Sequence, residues 1–168
     1  MIEVNELVEV AAPARAVWDL LSDPHAVVEC VPGAALGERH EDGSFDATLT
    51  VKFGPAKVNF RARFSMDLDS ATMVGQVNSR GKDDQGGTRM KGTMTFKVLE
   101  RAEPPGSSIP IDAQVEVSGR LAMLVEGGAK LVVKRMTTEF SERLAARFAE
   151  GSECQATVAE RQPKGEQQ

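Results

Sequence analysis

From Phe45 to Leu68 the chain alternates apolar and polar residues with one interruption. Phe45, Ala47, Leu49, Val51 and Phe53 are separated by Asp46, Thr48, Thr50 and Lys52. After Gly54-Pro55, the residues Val58, Phe60, Ala62, Phe64, Met66 and Leu68 are separated by polar ones, Arg61 and Arg63 among them. A period of two belongs to a strand with one oily and one wet face. A Gly-Pro turn between two such runs makes them a hairpin. Slipping the register by one residue would turn every phenylalanine to water, so the hairpin restricts the chain to folds built on a one-sided antiparallel sheet.

The same alternation recurs in Ile2, Val4, Val8 and Val10, where Glu6 is the one polar residue on the inward parity. Met73, Gly75 and Val77 predict a further strand, ended by the polar, glycine-containing stretch 81–87. Met90, Gly92, Met94, Phe96 and Val98 predict another, and Ile109, Ile111, Ala113, Val115 and Val117 the last, after a short loop at 103–108. Between the first strand and the hairpin, Pro13 opens one short helix, with Val17, Trp18 and Leu21 on one side. Asp23-Pro24 caps and opens a second, which Val31-Pro32-Gly33 ends. From Arg120 to about Glu150 the period lengthens to that of a helix. Leu121, Leu124, Val125, Gly128, Val132, Met136, Phe140, Leu144 and Phe148 lie close to one stripe. Some thirty residues of helix reach roughly 45 Å.

This order of strand, two short helices, about six more strands and a long helix predicts an α+β class, with helices segregated from a curved sheet wrapped around the last one. The 168 residues suit one domain over 1–150, and the polar stretch 151–168 reads as a mobile tail. A net charge of −5 argues against nucleic acid as a partner. One Trp, no Tyr, two His and two Cys leave few groups for acid/base, nucleophilic or metal chemistry. No catalytic residue, metal ligand or cofactor is therefore assigned. Two cysteines are no disulfide framework, and a cytoplasmic location is expected.

The element order, together with Asp23-Pro24, Cys30-Val31-Pro32-Gly33, Val51-Lys52-Phe53-Gly54-Pro55, the glycines from Gly86-Gly87 to Lys91-Gly92, and Gly119-Arg120-Leu121-Ala122, resembles the CoxG family, accessory proteins of carbon monoxide dehydrogenase. That family belongs to the START-like, helix-grip superfamily also labelled SRPBCC. The resemblance covers about Ile2 to Phe148. It implies a seven-stranded antiparallel sheet gripping the C-terminal helix around a hydrophobic tunnel. It also implies service to a molybdenum hydroxylase of the carbon monoxide dehydrogenase type, in membrane recruitment and in handling a lipophilic quinone. Members with an attachment role often carry a long extension with a hydrophobic end. Here residues 159–168 are polar, so membrane association is expected to be at most peripheral, at the inner face.

The strand parities and helix stripe nominate an apolar site. Leu49, Phe60, Phe64, Met94, Phe96 and Val115 would face Leu124, Val125, Gly128, Val132 and Met136, with Trp18 and Leu21 closing one end. The same side chains would equally fill a solid core, and periodicity does not separate the two. Gly127-Gly128 costs helix propensity, which close packing, a kink or an approaching ligand would explain. Glu6 is either a ligand-orienting acid or a residue that reaches water at a bulge or rim. His25 and Cys30, five apart, share no helix face and read as structural, as His40 does in its turn. The stretch 81–92, with Lys82, Arg89 and Lys91, joins strands and lacks the geometry of a phosphate cradle. Lys130, Lys134, Arg143 and Arg147 read as a solvated helix face, with anionic lipid or an acidic partner as the alternative.

Three functions follow as expectations. The first is a non-enzymatic binding protein for a quinone- or lipid-like molecule. The second is a cyclase- or hydrolase-type enzyme on an aromatic or polyketide-like substrate in the same cavity. The third is an adaptor with a filled core.

Overall fold

The computed structural model describes the backbone over residues 1–166 and the side chains over residues 1–149. The chain runs β1 (Ile2–Val10), α1 (Ala14–Leu21), α2 (Pro24–Cys30), β2 (Ala34–Arg39), β3 (Phe45–Phe53), β4 (Ala56–Asp69), β5 (Val74–Asp83), β6 (Thr88–Lys97), β7 (Leu99–Arg101), β8 (Gly106–Gly119) and α3 (Ala122–Glu166). One curved, open antiparallel sheet has the order β1-β8-β6-β5-β4-β3-β2, and β7 pairs with β8 off that path. The expected α+β arrangement is observed, with seven strands in the path and β7 as an eighth. The helix expected to end near Glu150 continues to Glu166, across most of the stretch 151–168 expected as a tail, and the side chains of 150–168 lie outside the described residues.

Local chemistry sets the joints. The Asp23 carboxylate accepts from the His25 N–H at 3.0 Å and caps α2, whose first residue is Pro24. Gly33, at φ +80°, turns the chain against β3, where its carbonyl accepts from the Thr50 N–H at 2.9 Å. A Cβ there would lie 2.3 Å from the Thr50 oxygen, so the glycine is required twice over. Gly54-Pro55 closes the β3–β4 hairpin, with Phe53 opposite Ala56.

Two elements depart from the alternation. β2 contains one large apolar residue, Leu36, and its register breaks between Leu36 and Arg39, so its place comes from pairing with β3 and not from its own pattern. β5 continues to Asp83, where the sequence reads as a turn. Gly81 lets β5 lie close to β4, since a Cβ there would come 2.6 Å from the Arg61 oxygen. The buried Asp83 then accepts from the Gly87 N–H at 2.8 Å. The buried Thr88 hydroxyl accepts from the Leu121 N–H at 2.9 Å, which ties the β5–β6 turn to the start of α3.

The core divides in two. One cluster gathers Val8, Val17, Trp18, Leu21, Phe96, Val98, Ile109 and Leu144. The other gathers Val51, Phe53, Val58, Phe60, Val125 and Val132. α3 joins both, burying Val125, Ala129 and Val132 toward its start and Leu144 further on.

Candidate functional site

The two clusters leave the middle of the inner sheet face thinly covered. Pairing places Phe64 beside Ser79, Ser79 beside Gly92, and Gly92 beside Val115. The next row runs Met66, Val77, Met94, Ala113 and Val4. These rows share the inward parity of Phe60 and Phe96, yet Phe64, Met66, Val77 and Val115 are only half-buried, and Met94 is 38% exposed. An inward methionine that keeps over a third of its surface open marks space that no described side chain fills.

On the helix side, Met136 packs against the Phe60 cluster and Phe140 against the Trp18 cluster, so these two residues of α3 stand at the junction. Trp18 and Phe96 close the far side, with ring centroids 5.9 Å apart. Phe96 lies across Gly75 of the neighbouring strand, where a Cβ would meet the ring at 2.3 Å. Phe64 stacks on Phe45 at 5.6 Å.

The expected lining is thus distributed over three places. Trp18, Leu21 and Phe96 are buried in one cluster. Phe60, Val125 and Val132 are buried in the other, with Leu49 and Met136 packed against it. Phe64, Met94 and Val115 occupy the open middle. Leu124 departs from the expectation. It is 39% exposed and sits beside exposed Met123, because Val125 and Ala129 take the buried stripe. Gly128 packs on the Phe53 ring, where a Cβ would lie 2.9 Å from Cδ1, while Gly127 has open space around it. The cost of Gly128 in a helix is therefore matched by close packing.

Glu6 is half-buried on the inward parity, opposite Ile111. The β1–β8 register runs unbroken from Ile2 to Val10, so no bulge turns it out. His25 is exposed, with its ring edge-on to that of Phe45 at a centroid distance of 6.5 Å, and Cys30 is a buried free thiol whose pKa burial pushes up. Cys154 lies outside the described side chains. Among the described residues no group of His, Cys, Asp and Glu could hold a metal ion.

A cluster the sequence does not announce joins His40, Asp46 and Arg63. His40 Nε2 lies 2.8 Å from Asp46 Oδ1 and 3.0 Å from Arg63 Nη2, and Arg63 Nε donates to Asp46 at 3.4 Å. The imidazole hydrogen bond lowers the Asp46 carboxyl pKa. Pairing of β3 with β4 sets Asp46 opposite Arg63, a juxtaposition that spacing along the chain does not reveal. This cluster lies on the outer side of the sheet, away from the open middle. No helix of the described residues is long and apolar enough to cross a membrane.

Solved structures share this architecture. A conserved protein from Geobacillus kaustophilus is 18% identical, with TM-score 0.69, over 86% of this chain and 96% of that one. The Zhui aromatase/cyclase from Streptomyces sp. R1128 is 16% identical, with TM-score 0.62, over 87% and 92%. A START superfamily protein from Mycobacterium smegmatis is 20% identical, with TM-score 0.57, over 84% and 96%. At such identities the likeness is one of fold: a START-like helix-grip. No curated protein matches the chain. The family model for CoxG, a subunit of carbon monoxide dehydrogenase, matches residues 7–149. The chain therefore belongs to the CoxG family of carbon monoxide dehydrogenase, built on a START-like fold.

Proposed function

We propose that the chain is a non-enzymatic carrier of a hydrophobic, quinone- or lipid-like molecule, held between α3 and the sheet. On this reading it serves a molybdenum hydroxylase of the carbon monoxide dehydrogenase type. Family membership supports an oxidoreductase as partner. The observation that carries the ligand reading is Met94, inward-facing and 38% exposed between two packed clusters. Phe64, Met66, Met94 and Val115 offer an apolar surface in which methionine adapts to irregular shapes. Peripheral membrane contact and a cytoplasmic location accompany this reading as expectations.

A second reading, a cyclase-type enzyme, draws on the likeness to an aromatase/cyclase and on the inward Glu6. Against it, among the described residues no side chain hydrogen-bonds the Glu6 carboxylate to orient it as an acid or base.

A short-chain, water-soluble quinone added to the purified protein tests the carrier reading. A ligand at 100 times its Kd stabilises by about 2.7 kcal/mol, and a chain of this size shifts by about 2–4 °C per kcal/mol. The melting temperature should therefore rise by roughly 5–11 °C. Met94→Gln should leave the unliganded melting temperature nearly unchanged and reduce the shift. An unmoved transition, together with a solvent extract of the protein free of quinone and lipid, contradicts the reading.

A further inference from the structure

Opposite the apolar site, on the outer face of the sheet, lies a trough of about 1180 Å³ that crosses the strands from β2 to β8. Its floor is one row of main chain, Ala47, Ala62 and Met90, whose side chains point inward, and Gly81, which has none. Its walls are the two flanking rows of outward side chains. One wall carries Arg61, Lys82 and Arg89 on successive strands, and the other carries Arg63, Arg80 and Lys91.

Each of these cations stands directly opposite another. Arg61 pairs with Lys82, Lys82 with Arg89, Arg63 with Arg80, and Arg80 with Lys91. Like charges in directly opposed positions destabilise a sheet. Asp46 offsets Arg63, but among the described residues none of the other five has an ion pair or a side-chain hydrogen bond. Counting Asp46 and Glu116, the trough is net +4 in a chain of net −5, so the remainder carries −9. Asp46 opposite Arg63 and Glu116 opposite Lys91 offset part of this charge, and the net positive charge left in the hollow fits an anionic occupant.

The shape selects among anions. Outward residues two apart along a strand put the walls about 7 Å apart, which admits an extended chain and excludes a helix about 10–12 Å across. Six strands at about 4.8 Å span roughly 24 Å, the length of about seven extended residues. A flat anionic membrane laid on this face would also meet Glu3, Asp67 and Asp112, which share its parity. Single-stranded nucleic acid would find no aromatic side chain there on which to stack a base.

We propose that the outer trough is a docking site for an extended acidic segment of a partner protein, with carboxylates on consecutive residues. Alternate side chains of such a segment point to opposite walls. One wall presents Arg61, Lys82 and Arg89, and the other presents Arg63, Arg80 and Lys91 between Asp46 and Glu116. The site is separate from the apolar middle of the inner face, so it stands whatever that face binds.

The test is fluorescence anisotropy of a labelled oligoglutamate peptide of about eight residues with the purified full chain at low salt. Saturable binding is expected, weakening as salt screens the charges. Arg80→Glu with Lys82→Glu should weaken it about tenfold or more, while Lys97→Glu, outside the trough on the same face, should change it less than about twofold. The double variant should also melt at a higher temperature than the parent, because opposed like charges become opposed unlike ones. That result separates a lost site from a lost fold. Absence of peptide binding overturns the proposal, as does an equal loss with Lys97→Glu. Tighter binding to vesicles of equal phosphatidylglycerol and phosphatidylcholine, or to an oligothymidylate, overturns it in favour of a membrane or a nucleic acid.

Discussion

Met94 and Cys30 show how one side chain reports its surroundings. Met94 sits on β6 two residues before the buried Phe96, yet it remains 38% exposed, which marks the inner face as thinly covered at that row. Cys30 is the opposite case. It is 2% exposed in the Trp18 cluster, and burial raises its thiol pKa, partly countered by Arg147. A raised acid pKa means that the folded state holds the proton more tightly than the unfolded state. Its contribution to stability is therefore present below the ordinary thiol range and is lost as pH rises through the folded value. In a Cys154→Ser background, iodoacetamide should label Cys30 far more slowly in the native protein than in denaturant. The native midpoint should lie above that of a free thiol; labelling at equal rates in both states would show that Cys30 is not enclosed. The residue types at these positions were readable from the chain. Their exposure was not, because parity says which way a side chain points and nothing about what lies opposite.

Among elements, α3 is where pattern and packing agree least. The stripe of Val125, Val132, Met136, Phe140 and Leu144 follows directly from helical spacing. Leu124 lies about 100° round the helix from Val125, at the edge of the stripe that Val125, Ala129 and Val132 bury, and it is 39% exposed. The adjacent glycines separate cleanly. Gly127→Ala meets nothing within 4 Å and should gain about 1 kcal/mol of helix propensity, raising the melting temperature by about 2–4 °C. Gly128→Ala meets Phe53 at 2.9 Å and should lower it, since the ring must move within a packed cluster. Thermal melts of the two variants decide this, and equal stabilisation by both would contradict the packing of α3 on β3. The hairpin of β3 and β4 was legible because its alternation is long and its turn is Gly-Pro. β2 was not, because Ala34–Arg39 is too poor in large apolar residues to carry a period.

Taken as one molecule, the sheet separates two kinds of surface. Its inner face is apolar and closed at both ends by packed clusters, with the middle left open. Its outer face carries a cationic trough in an acidic chain. A net charge of −5 conceals that trough completely, because the sum says nothing of how strand pairing sorts the signs. The Cys-Val-Pro-Gly and Phe-Gly-Pro segments carried the family resemblance, and the structure gives the Val-Pro-Gly turn a physical reason: Gly33 lies too near Thr50 for any side chain.

The seven methionines are spread across the surfaces that matter, and carbon-13 methyl spectra of the protein during titration with a short-chain quinone report on all of them at once. A ligand between α3 and the sheet should shift the Met66, Met94 and Met136 methyl signals together, and leave that of the exposed Met123 in place. Shifts confined to Met123, or none at saturating quinone, would contradict an apolar site on the inner face.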